Sequence, residues 1–177
     1  MTDEYFFDTD CLSAFLWVNG ESILSKLYAG HIVLPAQVYD EIKRVPHLCD
    51  KVDIMKDQHD LVIKAMEAGS TEYLDYLKMT TNPEKGMRII GKGEAAGIAM
   101  VKERDGILAS NNLRDIAPYV EKFNLKHITT GDILIKAMDM QMITADQGDD
   151  LWQKMLKKRR KLPTSTFFEY LKEKDYL

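Results

Sequence analysis

The sequence predicts an α/β protein built on a central parallel sheet. Four short β-type runs, Tyr5 to Phe7, His31 to Leu34, Gly106 to Ala109 and Lys126 to Thr129, are each followed by a helix-like segment. That alternation is the signature of parallel strands joined by helical crossovers. Asp8, Ser110 and Thr130 fall just past three of the runs, at the strand ends where parallel sheets carry their sites. Two acids stand where a helix should be greasy. Glu41 shares helical spacing with Val38, Ile42 and Val45, and Glu94 with Gly97, Ile98 and Val101, so both carboxylates lean against a core-facing stripe.

In chain order, Tyr5-Phe6-Phe7 reads as a buried strand whose end delivers Asp8 and Asp10 into a helix through Leu12 to Val18. The second run leads into the helix carrying Glu41. The stretch 51–79 reads as two helices broken at Gly69-Ser70, a helical arm, and Asn82-Pro83-Glu84-Lys85-Gly86 as a turn before the helix of Glu94. Asn112 to Asp115 opens a helix after the third run. Thr129-Thr130-Gly131-Asp132 opens another after the fourth, and the capping box Thr144-Ala145-Asp146-Gln147 opens one ending near Leu162-Pro163. Helices are therefore expected over about 130–177. No repeat, low-complexity stretch or linker interrupts the chain, so one domain over 1–177 is expected.

With 177 residues the chain is long enough to bury a core without disulfides or structural metal. A formal net charge of -4, from 24 Lys+Arg against 28 Asp+Glu, advertises no polyanion binder globally and leaves room for a local basic face. Cys11 and Cys49 lack paired-ligand spacing, which argues against zinc and a disulfide scaffold and suits a reducing cytoplasm. The opening Met1-Thr2-Asp3-Glu4 is acidic where a secretory signal needs basic residues, and no apolar run approaches the ~20 residues that span a bilayer. A soluble cytoplasmic protein, with no membrane partner, is the expectation.

Each acid has an ordinary structural role open to it. Asp8 or Asp10 can cap the following helix, a contribution of about 1 kcal/mol. Glu41 can pair with Lys43 or Arg44, Glu94 is a first-turn acid favoured by the helix dipole, and Asp115 belongs to a cap with Asn112. Inward carboxylates nevertheless stay ionised only when a cation, donors or water replace lost hydration, so several that converge point to a divalent metal.

Their order along the chain resembles that of the PIN-domain family, in particular the small bacterial ribonucleases of toxin–antitoxin pairs. Phe7-Asp8-Thr9-Asp10-Cys11-Leu12 matches the family's first-strand Asp followed by Thr or Ser and a small polar residue. Leu34 to Ile42 matches its second acidic helix, Gly91 to Ala99 its third, and Ile107 to Ile116 its Thr-x-Asn-x-x-Asp-Phe element. The tail, with Thr-Thr-Gly-Asp and a Leu-Trp…Arg-Arg-Lys-Leu-Pro run, extends the likeness to about residue 162. The resemblance implies a three-layer α/β/α fold and a Mg²⁺- or Mn²⁺-dependent endoribonuclease. Asp8, Glu94 and Asp115 are then metal ligands, Glu41 a fourth catalytic acid, and Thr9, Asp10, Ser110 and Asn112 supporting groups. Many members carry an acid at the place of Asn111 or Asn112, and Asp at that of Glu94. The residue types suit hard cations. RNA, an antitoxin and a second copy of the chain are the implied partners. Lys92, Arg114, Lys157, Arg159 and Arg160 are the candidate phosphate-binding cations; a solvated helix end is the alternative role of the last three.

Two other readings fit parts of the chain. Phe7-Asp8-Thr9-Asp10 also resembles the Asp-x-Asp of haloacid-dehalogenase-type phosphatases, with Asp8 as nucleophile, but Lys136-Ala137 stands where a second acid belongs and Glu41 and Glu94 are left without a role. A non-catalytic PIN module binding RNA or protein follows if Asn111 and Asn112 leave the acidic centre incomplete.

Overall fold

The computed structural model describes residues 3–177; Met1 and Thr2, part of the acidic opening, lie outside that range. Five strands form one sheet, β1 (Tyr5–Phe7), β2 (Ile32–Pro35), β3 (Leu61–Lys64), β4 (Ile107–Ala109) and β5 (Lys126–Ile128), in the order β3-β2-β1-β4-β5. Every neighbouring pair is parallel, with Tyr5 opposite both Ile32 and Ile107. The fold is thus α/β with helices on both faces of the sheet.

Strand alternation divides the core. Phe7, Ile32, Leu34 and Leu61 join one apolar cluster, while Phe6, Val33 and Leu108 join the other, as a period of two demands when both faces are buried. The first cluster is covered by α1 (Thr9–Leu16), α2 (Glu21–Tyr28), α3 (Ala36–Ile42), α4 (Pro46–Asp57), α8 (Thr130–Asp139), α9 (Ala145–Lys157) and α10 (Phe167–Glu173). The second is covered by α5 (Thr71–Thr81), α6 (Lys92–Arg104) and α7 (Leu113–Phe123). Phe6, Phe7, Phe15, Trp152 and Phe167 have no exposed surface, and each such side chain contributes up to about 3 kcal/mol of burial. Among the described residues no helix is long and apolar enough to cross a membrane.

The stretch 51–79 departs from the sequence reading. It is not two helices forming an arm: α4 ends at Asp57, β3 follows as the sheet's edge strand, and only α5 lies beyond Gly69-Ser70. The tight turn into β3 places His59 at φ +63, and Gly30 donates to Asp60 O at 3.0 Å. Val62 and Ile63 are β-branched, and tertiary pairing with β2 outweighs the strand's short length. The helix predicted to end near Leu162 stops at Lys157, and the short α10 follows.

Two glycines seat α10. A Cβ on Gly131 would lie 2.2 Å from Tyr170 Cε1, and one on Gly148 2.5 Å from Phe167 Cε1. The Tyr170 hydroxyl donates to Asp132 Oδ1 at 2.9 Å, which fixes its ring against α8. We expect Gly131→Ala to cost about 1–3 kcal/mol through overpacking, read as a lower midpoint in urea denaturation. An unchanged midpoint would mean that Tyr170 can swing aside.

Candidate functional site

The chain runs from β1 outward to β2 and β3 and then returns to β4 on the other side of β1, so the winding reverses between β1 and β4. In such sheets a crevice opens beyond the carboxyl ends of the strands at the reversal. A pocket of about 270 Å³ lies there, lined by Asp8, Thr9, Asp10, Glu41, Gly91, Gly93, Glu94, Asn112 and Asp115. Five of the nine are carboxylates.

Asp8 is the innermost. Its N–H donates to Ala109 O at 3.0 Å, which continues the β1–β4 ladder by one step, and its side chain caps α1, with Oδ1 accepting from Cys11 N–H at 2.8 Å. Its other oxygen, Oδ2, is buried with no hydrogen-bond partner. Burial above all pushes the Asp8 pKa up to about 8, with the charges of Asp10 and Glu94 adding to the rise; the neighbouring Ser110 hydroxyl and the Cys11 N–H act the other way. Ser110 is itself fully buried at the end of β4, its Oγ also unpartnered. Burial, and then the Asp8 charge, push the Cys11 thiol well above its ordinary value, so it is a packing group and not a nucleophile.

Glu41 enters from α3 and accepts a hydrogen bond from the Thr9 hydroxyl. Its cation neighbour Lys43 pairs with Asp40 instead, at 2.6 Å. The approach of α3 to α6 depends on Gly93: a Cβ there would meet Thr9 Oγ1 at 3.2 Å, Glu41 Oε1 at 3.3 Å and Val38 Cγ2 at 3.3 Å. Glu94, in the first turn of α6, accepts from Gly91 N–H at 3.3 Å through Oε2. Its pKa is raised, first by burial and further by Asp115 and Asp10, against the opposing donors Asn112 and Gly91. Asn112 opens α7 and its amide bridges the pair, donating to Glu94 Oε1 at 2.6 Å and to Asp115 Oδ2 at 2.9 Å. The second oxygen of Asp115 takes Arg88 at 3.3 Å.

The structure therefore brings together Asp8, Thr9, Asp10, Glu41, Glu94, Asn112 and Asp115, with Ser110 directly behind Asp8. The candidate cations do not line the pocket. Lys92 and Arg114 are exposed beside it in sequence, Lys157 and Arg159 are exposed at the far end of α9, and Arg160 folds back to donate to Ser13 Oγ at 3.2 Å. Gly91 and Gly93 are site residues that sequence reasoning did not single out, whereas Arg88 stood out there as a cation near the acids; the signal for Gly93 was a glycine one residue before an inward acid. Asn111 faces away, accepting from Thr130 N–H at 2.9 Å and donating to Thr130 Oγ1 at 2.8 Å, which ties β4 to α8. Lys136 stacks its ammonium over Tyr28, 4.7 Å from the ring centre, and the pocket lining holds no lysine. The phosphatase reading has no cation to complete it.

The donor set suits a hard divalent cation: oxygen ligands, most of them carboxylates, among them Asp8 with its buried, unpartnered Oδ2. Among the described residues no three His, Cys, Asp or Glu side chains converge in ligating geometry; Asn112 and Arg88 hydrogen-bond Glu94 and Asp115.

A doubly wound parallel sheet with an acidic pocket at its reversal point defines the class. The chain belongs to the PIN-domain family, whose family model, described as a PIN domain, matches residues 4–175. No curated protein matches the chain. PIN domains are in general nucleases, typically use divalent metals and bind nucleic acids.

Because the folded Asp8 pKa lies above the ordinary value of 3.8, the native state holds a proton that the unfolded state has released between those values. Metal-free stability attributable to this group is full below about pH 4 and falls as pH rises toward 8. Asn caps as well as Asp, so we expect Asp8→Asn to be more stable than wild type at pH 7.5 in chelator, by on the order of a few kcal/mol, and equal to it near pH 4. Thermal melts at the two pH values check this; a variant less stable at pH 7.5 would contradict it.

Proposed function

We propose that this protein is a Mg²⁺- or Mn²⁺-dependent endoribonuclease that hydrolyses RNA phosphodiester bonds at the acidic pocket. The observation that supports the reading is the fully buried Asp8, one of its oxygens unpartnered, lining one pocket with four further carboxylates. A group in that position is costly unless a cation completes it.

Asp8, Glu94 and Asp115 would hold the metal, which supplies phosphate polarisation and a water of lowered pKa. The chain's own residues do the rest. Thr9 fixes the Glu41 carboxylate by its hydroxyl, leaving Glu41 as a base that orients or deprotonates an attacking water. Asn112 holds Glu94 and Asp115 beside one another through its amide. Arg88, paired with Asp115, would be a cation for a phosphate oxygen beside the metal held by that acid. Ser110 orients Asp8 from behind. Lys92 and Arg114 receive flanking phosphates. A homodimer, an antitoxin covering the pocket and a cytoplasmic place of action belong to the same reading.

Mixed single-stranded RNA incubated with Mn²⁺ at low salt should be cleaved by the wild type. Asp8→Asn should lose more than about 100-fold of the rate, and chelator should abolish it. Equal cleavage by both proteins would overturn the assignment.

The non-catalytic module is supported by one specific observation: the Asn112 amide stands between Glu94 and Asp115 in the place of an acid or a metal. Asn112→Asp separates the two readings. For the nuclease it should tighten Mn²⁺ binding, measured by calorimetry, while lowering metal-free stability through three adjoining carboxylates. Wild type that takes up no Mn²⁺, with Asn112→Asp gaining it, would favour the module.

A further inference from the structure

Two turns along α1 from the acidic pocket sits an aromatic group surrounded by cations. Asp10, Ser13 and Trp17 occupy one stripe of the helix, i, i+3 and i+7, and Trp17 lies about 10 Å beyond Asp10 at 1.5 Å per residue. Trp17 is half-buried and packed at its inner edge on the core. Lys158 Nζ stands over its ring at 5.3 Å and the Arg160 guanidinium at 5.8 Å, while the exposed His47, in the first turn of α4, meets it edge-on at 4.8 Å.

The cations come from 140 residues away, and a specific chain reversal brings them. Past the end of α9, Arg159 adopts φ +59, its N–H bonding Leu156 O at 2.9 Å and that of Arg160 bonding Met155 O at 3.0 Å; this is the Schellman pattern with arginine where glycine is usual. It turns Arg160 back onto α1, where Ser13 accepts its hydrogen bond and in turn donates to Asp10 O at 3.3 Å. Arg160 thus lies between the acidic pocket and Trp17. Among the described residues none of Lys157, Lys158, Arg159, Arg160, Lys161 or Arg44 pairs with a carboxylate. Uncompensated cations around a tryptophan suit a ligand with an anionic backbone and flat rings.

We infer that Trp17, His47, Lys158 and Arg160 form a stacking subsite for a base of single-stranded RNA, two or three nucleotides from the phosphate held at the acidic pocket. The spacing follows from roughly 3.4 Å per stacked nucleotide. Arg160, anchored by Ser13, takes the intervening phosphate. Lys158, unanchored and exposed, leaves the ring as the base arrives and moves to the next phosphate. A duplex cannot present a single base to Trp17, so the subsite selects single strands. This inference rests on RNA being the ligand of the acidic pocket but not on its cleavage.

The test is binding of a fluorescein-labelled single-stranded RNA octamer to the full-length Asp8→Asn protein in Mg²⁺, followed by anisotropy. Trp17→Ala should weaken binding about tenfold or more. Trp17→Phe, which keeps the core contact and an aromatic face, should restore most of it. Lys158→Ala, at an exposed position, should reduce the slope of log affinity against log salt by about one. The octamer should also quench tryptophan emission, and Trp17→Phe should remove the quenching because Trp152, the other tryptophan, is fully buried. Trp17-dependent binding supports the subsite whether or not the wild type cleaves RNA. Undiminished binding by Trp17→Ala, equal loss in Trp17→Ala and Trp17→Phe, or no binding by the parent overturns it.

Discussion

A carboxylate has been placed where an α/β protein can least tolerate one, at the end of its central strand, beneath the first turn of a helix. Asp8 carries β1's ladder one step further through its N–H and caps α1 through one oxygen, so the backbone around it is fully specified. The second oxygen is left without a partner. That imbalance marks the neighbourhood: Glu41, Glu94 and Asp115 line the same pocket, and burial raises the Asp8 and Glu94 pKa values, opposed by their hydrogen-bond donors and aided to a lesser degree by the neighbouring acids. A group of this kind persists in a folded protein when the arrangement serves something other than stability.

The supporting bonds keep the acids apart without neutralising them. Thr9 holds Glu41, Gly91 and Asn112 hold Glu94, and Arg88 and Asn112 hold Asp115. All but one of these donors are neutral, and Arg88 is half-exposed, so its pairing is weak and reversible. The pocket is therefore lined by acids held by mostly neutral donors, an environment more suited to a cation than to a phosphate.

Much of the architecture was legible because local and global signals agree. Tyr5-Phe6-Phe7, wholly aromatic and ended by Asp8, shows a buried strand, and the capping boxes at Thr129 and Thr144 name their helix starts. β3 was hidden because four residues on a sheet edge, only Leu61 of them fully buried, give neither alternation nor a long apolar run; their pairing to β2 is decided by contacts outside any local window. Inward acids were visible as breaks in helical apolar stripes, and their order carried the family resemblance. Their fine geometry was not. Glu94 and Asp115 serve as first-turn acids and as pocket acids at once, so the ordinary and functional roles are not alternatives, and no spacing rule distinguishes one from both.

The same limit explains the basic run at 157–161. Helix-end cations are common, and in sequence they look like a response to the α9 dipole. Their meaning depends on Arg159 taking a left-handed turn and on Ser13 lying within reach of Arg160, two facts set by the packing of α9 and α1 against the same sheet face. Had the helix ended one residue later, the turn would rotate by about 100°, and Arg160 would face solvent with its neighbours. The register of a helix end, rather than the charge of its residues, decides whether positive charge is spread over the surface or delivered beside an acidic pocket.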